Sequence, residues 1–229
     1  MSPPPKPWIV YALIAANVAA FCFELSHGLS AGQPSARQLV EIGGSFPPFT
    51  LHGEPWRLGS SMFLHAGVIH LALNMICLYR GAIVEQLLGR AGFLALYLIA
   101  GLGGGIATLI AGRENIVTVG ASGAVFGVYG AFGAFLIAHR KRIADAALQS
   151  TARSLASFLI LNFIIGYTIP NISMSAHVGG LLTGFVAGLV LTVGERAHAQ
   201  RTARAIGLFV VGGALAAGAV VALSAAAAP

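Results

Sequence analysis

Residues 175–193 read SAHVGGLLTGFVAGLVLTV, 19 positions without a lysine, arginine, aspartate or glutamate. A helix that crosses a bilayer needs about 20 mostly apolar residues, so this stretch has the length and character of a membrane span. Gly180, Gly184 and Gly188 recur at four-residue spacing within it. Small residues at that spacing let membrane helices approach each other closely. One ionisable side chain, His177, stands near its start. The stretch therefore reads as a buried helix, packed tightly on a neighbour and carrying an expensive polar group.

Six further apolar runs flank it, at about Trp8–Phe23, Phe63–Tyr79, Gly92–Ala111, Ala121–Ala138, Leu155–Ile169 and Ala205–Ala228. The second and fifth of the seven are short and carry polar residues. Pro170-Asn171 breaks the chain between the fifth and sixth, because proline stops a helix and biases its predecessor to extended forms. Composition agrees with an all-α polytopic membrane protein. The 229 residues are 57% hydrophobic and 9% charged, with a mean hydropathy of +0.84. A soluble chain is about a quarter charged. Cys22 and Cys77 both lie inside apolar runs and provide neither a disulfide framework nor a thiol-rich metal site. The longest connection, residues 24–62, is expected outside the bilayer. Its Phe46, Phe49, Leu51 and Trp56 suit a loop resting in the membrane interface.

The pI near 9.9 could point to nucleic acid, but the placement of the basic residues explains it more simply. With a cytoplasmic N-terminus, Lys6, Arg80, Arg90, Arg140, Lys141, Arg142, Arg153, Arg196, Arg201 and Arg204 face the cytoplasm, and Arg37, Arg57 and Arg113 face outward. Ten against three is a positive-inside bias. It gives seven spans with the N-terminus inside and the C-terminus outside. A cluster such as His139-Arg140-Lys141-Arg142 is then an anchor beside anionic lipid. A cleaved signal peptide over the first run is disfavoured, since Glu24-Leu25-Ser26-His27 has no small-residue cleavage site.

Polar side chains inside spans are costly and mark function. In this topology spans two, four and six run in the same direction. His65, His70 and Asn74 fall in the first turns of span two, Ser122 near the start of span four, and His177 near the start of span six. At 1.5 Å per residue all lie on the order of 10 Å below the external surface. A serine next to a histidine can act as a nucleophile. The only aspartate, Asp145, lies in a cytoplasmic loop, so the expected unit is a dyad. His70 and Asn74, at i and i+4, share a helical face and can aim at one developing charge. Backbone N–H groups at the start of span four can join them. Gly123, beside Ser122, and Gly180, one turn after His177, allow hydroxyl and imidazole to meet. Singly, each residue has a plainer reading: glycine packing, an interfacial histidine, an asparagine holding helices together. Which histidine serves as base stays open on this ground.

Together, these residues resemble the rhomboid family of intramembrane serine proteases. The matching positions are Trp56-Arg57 before span two, His65, His70 and Asn74 in HAGVIHLALN, and Gly120-Ala121-Ser122-Gly123 opening span four. They continue through Ala176-His177-Val178-Gly179-Gly180-Leu181-Leu182-Thr183-Gly184, with Glu85 and Gly89 after span two. The resemblance covers about Trp56–Leu191. It implies a short cytoplasmic segment (1–7), a six-span core (8–194) with a half-buried external loop (24–62), a basic linker (195–204) and an added seventh span (205–229). It implies Ser122 as nucleophile, His177 as general base, and His70, Asn74 and the Ser122 backbone as oxyanion donors. Trp56, Arg57, His65, Glu85, Gly120, Gly123, Gly180 and Gly184 fall to structure and packing. No cofactor or metal is required. The expected partners are transmembrane substrates with helix-destabilising residues and the lipid bilayer, not nucleic acid. The expected setting is a bacterial-type inner membrane with the site toward the outside. A metal-dependent protease using His65, His70 and His177 is the poorer reading, because no His-Glu-x-x-His is present and no carboxylate accompanies the histidines. A non-catalytic client-binding relative would be expected to lose the serine or histidine. A transporter would hold its polar cluster at the midplane.

Overall fold

Long apolar runs free of proline fold as helices, because in lipid every backbone polar group must be satisfied within its own segment. The computed structural model describes residues 6–111, 116–168, 173–192 and 198–226, with the side chains of 198 and 199 excepted. Among them the chain forms α1 (Trp8–Ser26), α2 (Ala36–Glu41), α3 (Pro47–Thr50), α4 (Arg57–Ser60), α5 (Val68–Arg80), α6 (Ala82–Ile110), α7 (Ser122–Ala138), α8 (Asp145–Thr168), α9 (Met174–Thr192) and α10 (His198–Ala226). Five of these, α1, α6, α8, α9 and α10, are long and apolar enough to cross a membrane, while α5 and α7 are shorter apolar helices. At 1.5 Å per residue the 13 residues of α5 reach only about 20 Å, less than the roughly 30 Å hydrocarbon core. The Pro170-Asn171 break lies outside the described residues, as do Arg113 and Arg196.

Two boundaries differ from the hydropathy reading. The second apolar run turns helical only at Val68, because Gly67 has φ 109° and the preceding residues form turns. His65 thus stands in a turn before the helix, not in its first turns. The third run begins earlier, at Ala82, with a break at Gly89 (φ 77°, ψ 168°). Hydropathy is blind to both, since it registers apolarity and not dihedral angles.

The centre of the molecule is the packing of α9 against α6 and α7. A Cβ on Gly180 would strike the Gly123 carbonyl, and one on Gly184 the Gly127 backbone. This is helix contact at backbone distance. Helix α1 lies against α5 and α6, and α10 lies along α6. Helix α8 stays peripheral, with Gly166 its one buried residue.

The connection 27–67 is ordered by its own chemistry. Ser35 and Gln38 form a reciprocal capping box on α2. Arg57 is buried, pairs with Glu54 at 2.7 Å and donates to the carbonyls of Val40 and Gly44. Leu58, Leu109 and Val220 form a small apolar cluster beneath the connection, and Ser224 on α10 donates to the Leu51 carbonyl at 2.6 Å. At the opposite end, the buried Glu85 carboxylate accepts the N–H groups of Ile9 (3.0 Å) and Val10 (2.8 Å), capping α1 from a distant part of the chain. Those donors have no partner within their own helix. Glu85→Ala should cost about 2 kcal/mol by stranding them, read as a lower thermal midpoint in detergent. An unchanged midpoint would show that this cap is not holding α1.

Candidate active site

Ser122 is the first residue of α7, where helix N–H groups have no partner inside the helix. The turn that delivers it is fastened to the connection 27–67. Ser45 and Thr118 exchange backbone hydrogen bonds at 3.1 and 2.8 Å, and the Gly120 N–H donates to the Ser61 carbonyl at 2.8 Å. Gly120 has φ 118°, and a Cβ there would stand 2.6 Å from Cε1 of His70 and 2.8 Å from its Nε2. Glycine is required twice over at this position, for the dihedral and for the imidazole.

His177 lies in the first turn of α9, buried, with Ser173 below it accepting the Ala176 N–H through its hydroxyl. Its Nε2 is 3.0 Å from the Ser122 hydroxyl oxygen, joining helices 55 residues apart. The close approach of α7 and α9 at Gly123 and Gly180 makes this bond possible. Nδ1 of His177 is buried and has no hydrogen-bond partner among the described residues. The ring is aligned by stacking instead. Phe126 lies parallel to it, with centroids 4.2 Å apart and 14° between planes, and Phe163 of α8 backs Phe126 at 5.2 Å. These two aromatics escaped the sequence reading, although Phe126 follows Ser122 by four residues and so shares its helical face.

The pair opens onto a cleft between α5, α7 and α8. His70, Leu73, Asn74 and Cys77 line it from α5, Val125 and Phe126 from α7, and Phe158, Asn162, Ile165 and Gly166 from α8. His70 and Asn74 therefore face the same space as Ser122 and His177, as the i, i+4 spacing predicts. The Asn74 amide donates to the His70 carbonyl at 2.9 Å, which steadies it on its own helix. Among the described residues, no lysine, arginine, aspartate or glutamate lines the cleft. A hydroxyl bonded to an imidazole, with amide and imidazole groups aimed at the same space, is equipped for acyl transfer.

His65 does not line this cleft. It is fully buried behind His70, the rings meeting edge to face at 5.3 Å. Its backbone N–H donates to Oε1 of Glu24 at 2.8 Å. A carboxylate does accompany the histidines, contrary to the sequence reading, which left Glu24 at the start of a loop. It is the last turn of α1 that carries it inward. Among the described residues, no three His, Cys, Asp or Glu side chains gather where they could hold a metal ion. Of the packing residues, Arg57 is buried in the connection while Trp56 is 55% exposed and lies over the Arg57 guanidinium.

Comparison with known proteins follows the same lines. Residues 52–194 match the family model described as Rhomboid domain. The chain is 34% identical over 187 residues to Rhomboid protease GluP of Bacillus subtilis (strain 168), covering 81% of this chain and 35% of that protein. It is 38% identical over 185 residues to RHOMBOID-like protein 2 of Arabidopsis thaliana, covering 77% of this chain and 57% of the relative. Rhomboid-like protease 1 of Toxoplasma gondii is 33% identical over 162 residues, 69% of this chain and 54% of its own. The chain thus spans between about a third and three fifths of the length of these relatives.

Proposed function

The chain belongs to the rhomboid family, and on that premise we propose that it is an intramembrane serine endopeptidase, with Ser122 as nucleophile and His177 as general base. The observation that carries this reading is the 3.0 Å contact between Ser122 Oγ and His177 Nε2 in a cleft also lined by His70 and Asn74. The Ser122 hydroxyl gives its proton to His177 Nε2 as Oγ attacks a substrate peptide carbonyl. The tetrahedral oxyanion is held by Asn74, His70 and backbone N–H groups at the start of α7. His177 returns the proton to the leaving amine. Water then hydrolyses the acyl-enzyme by the reverse roles. Stacking on Phe126, in place of a carboxylate, keeps the imidazole aligned through both steps.

In this reading α1 and α5–α9 form a six-span core and α10 a seventh span. The ten-against-three distribution of basic residues supports a cytoplasmic N-terminus and a site toward the external face, in a bacterial-type inner membrane. Substrates are transmembrane proteins whose spans unwind readily, because a helix shields its carbonyls. Each glycine in a helix interior costs about 1 kcal/mol relative to alanine. If unwinding precedes cleavage, two glycines near the cut should speed it about 30-fold over a polyleucine span. The test is cleavage of paired reporters in liposomes. Equal rates on both would refute the unwinding requirement. An inert wild type on a broad panel, with no labelling of Ser122 by a serine-directed phosphonate, would overturn the protease reading in favour of client binding.

A further inference from the structure

Glu24 is a carboxylic acid with 1% exposure at the outer end of α1, and the proposed reaction does not use it. Oε1 accepts the His65 N–H at 2.8 Å, while Oε2 has no partner among the described residues. The next amide along, Ala66 N–H, donates to Nδ1 of His70 at 3.3 Å. A backbone N–H can only donate, so His70 Nδ1 accepts and the ring carries its proton on Nε2. That Nε2 stands with Cε1 beside Gly120, facing the turn that leads to Ser122. The His65 ring, pinned by donation from Nδ1 to the Phe63 carbonyl at 3.1 Å, meets the His70 ring edge to face.

The turn itself does not need Glu24 for its path. Val68 N–H donates to the Ala31 carbonyl at 2.7 Å, and Gly67 lies against Gly32. What Glu24 adds is the setting of the His65 peptide, hence of the Ala66 N–H that selects the His70 tautomer. We propose that Glu24 is a positioning residue for the oxyanion side of the site, acting through the 64–65 peptide it holds, and the 65–66 peptide that follows, to keep the His70 Nε2–H aimed toward Ser122. Resting on the protease reading above, this assigns the outer end of the first helix a part in the reaction although it touches no reacting atom. The physical logic is that of an outer residue fixing the tautomer of an inner histidine by holding what its other nitrogen meets.

The test uses the full chain in liposomes. Glu24→Met keeps the length of the side chain and removes the acceptor, and Glu24→Leu serves if the methionine variant does not fold. Glu24→Gln keeps an acceptor oxygen. In 15N-histidine spectra wild type should show His70 with its proton on Nε2, and the apolar variant a mixture of tautomers. In cleavage, kcat of the apolar variant should fall about tenfold with KM little changed, less than the roughly 10²–10³ expected for removing a donor outright. Glu24→Gln should recover most of that loss. In a His70→Ala background the same change should lower kcat less than twofold further. An unchanged tautomer, an equal loss in the His70→Ala background, or failure of both apolar variants to fold would overturn the role. If wild type cuts no reporter, the protease reading fails, and the tautomer comparison still decides the question for Glu24.

Discussion

Ser122→Ala and His177→Ala should each lower cleavage of a glycine-containing reporter by about 10⁴-fold or more, and the double variant should be no worse than either single one. Groups that work as a unit fail as a unit, so their effects do not add. The structural cost of losing the hydroxyl should be small. Ser122→Ala gives up the Ser122–His177 hydrogen bond, worth about 1 kcal/mol, so its thermal midpoint should stay close to wild type, whereas His177→Ala also loses the stack on Phe126 and should lower the midpoint further. Retained activity in Ser122→Ala would remove the serine mechanism. Losses of the two singles that multiplied in the double variant would mean that hydroxyl and imidazole act independently, contrary to the 3.0 Å contact.

Gly180→Ala should cost about 10²-fold in kcat, and Gly180→Val should abolish activity, although neither alters a group in the proposed chemistry. A Cβ on Gly180 collides with the Gly123 carbonyl, backbone that cannot swing aside as a flexible side chain would. Relief requires α9 to move away from α7. Ser122 sits beside Gly123 and His177 one turn before Gly180, so that movement lengthens the Ser122–His177 contact directly. A misplacement of about 1 Å is enough for a loss of this order. The control is Gly218→Ala on α10, where an added Cβ meets nothing within 4 Å and activity should hold. Phosphonate labelling of Ser122 should fall in parallel with kcat in the Gly180 series. Full activity in Gly180→Val would mean that α7 and α9 can separate without disturbing the pair.

Much of this arrangement was legible in the residues. The glycine spacing of 180, 184 and 188 marked the contact face of α9, and the matched depth of His65, His70, Asn74, Ser122 and His177 predicted a meeting in which all but His65 take part. What stayed hidden has physical causes. Helix starts depend on dihedral angles, and Gly67 and Gly89 set boundaries that apolarity does not register. Glu24 follows the last apolar residue of the first run, Phe23, so apolarity places it at the start of the connection. Its partner is 41 residues away, a separation with no local signature. Phe126 and Phe163 look like any other membrane aromatics until the fold stacks one on His177. Polar pairs announce themselves by their cost in lipid, whereas aromatic rings there carry no such mark.

The contact between Ser122 and His177 also has a consequence in time. The two residues are made 55 positions apart. At the usual pace of synthesis, about 5–20 residues per second, the hydroxyl exists for roughly 3–11 s before its imidazole has been polymerised. The imidazole must then wait for its own helix to reach the glycine seam. In the proposed mechanism, an unfinished chain still threading into the membrane therefore holds its serine without its base, and it cannot cut the other nascent proteins crowding the same insertion site. Competence arrives only when the glycine faces close, so the step that completes the packing is also the step that arms the chemistry.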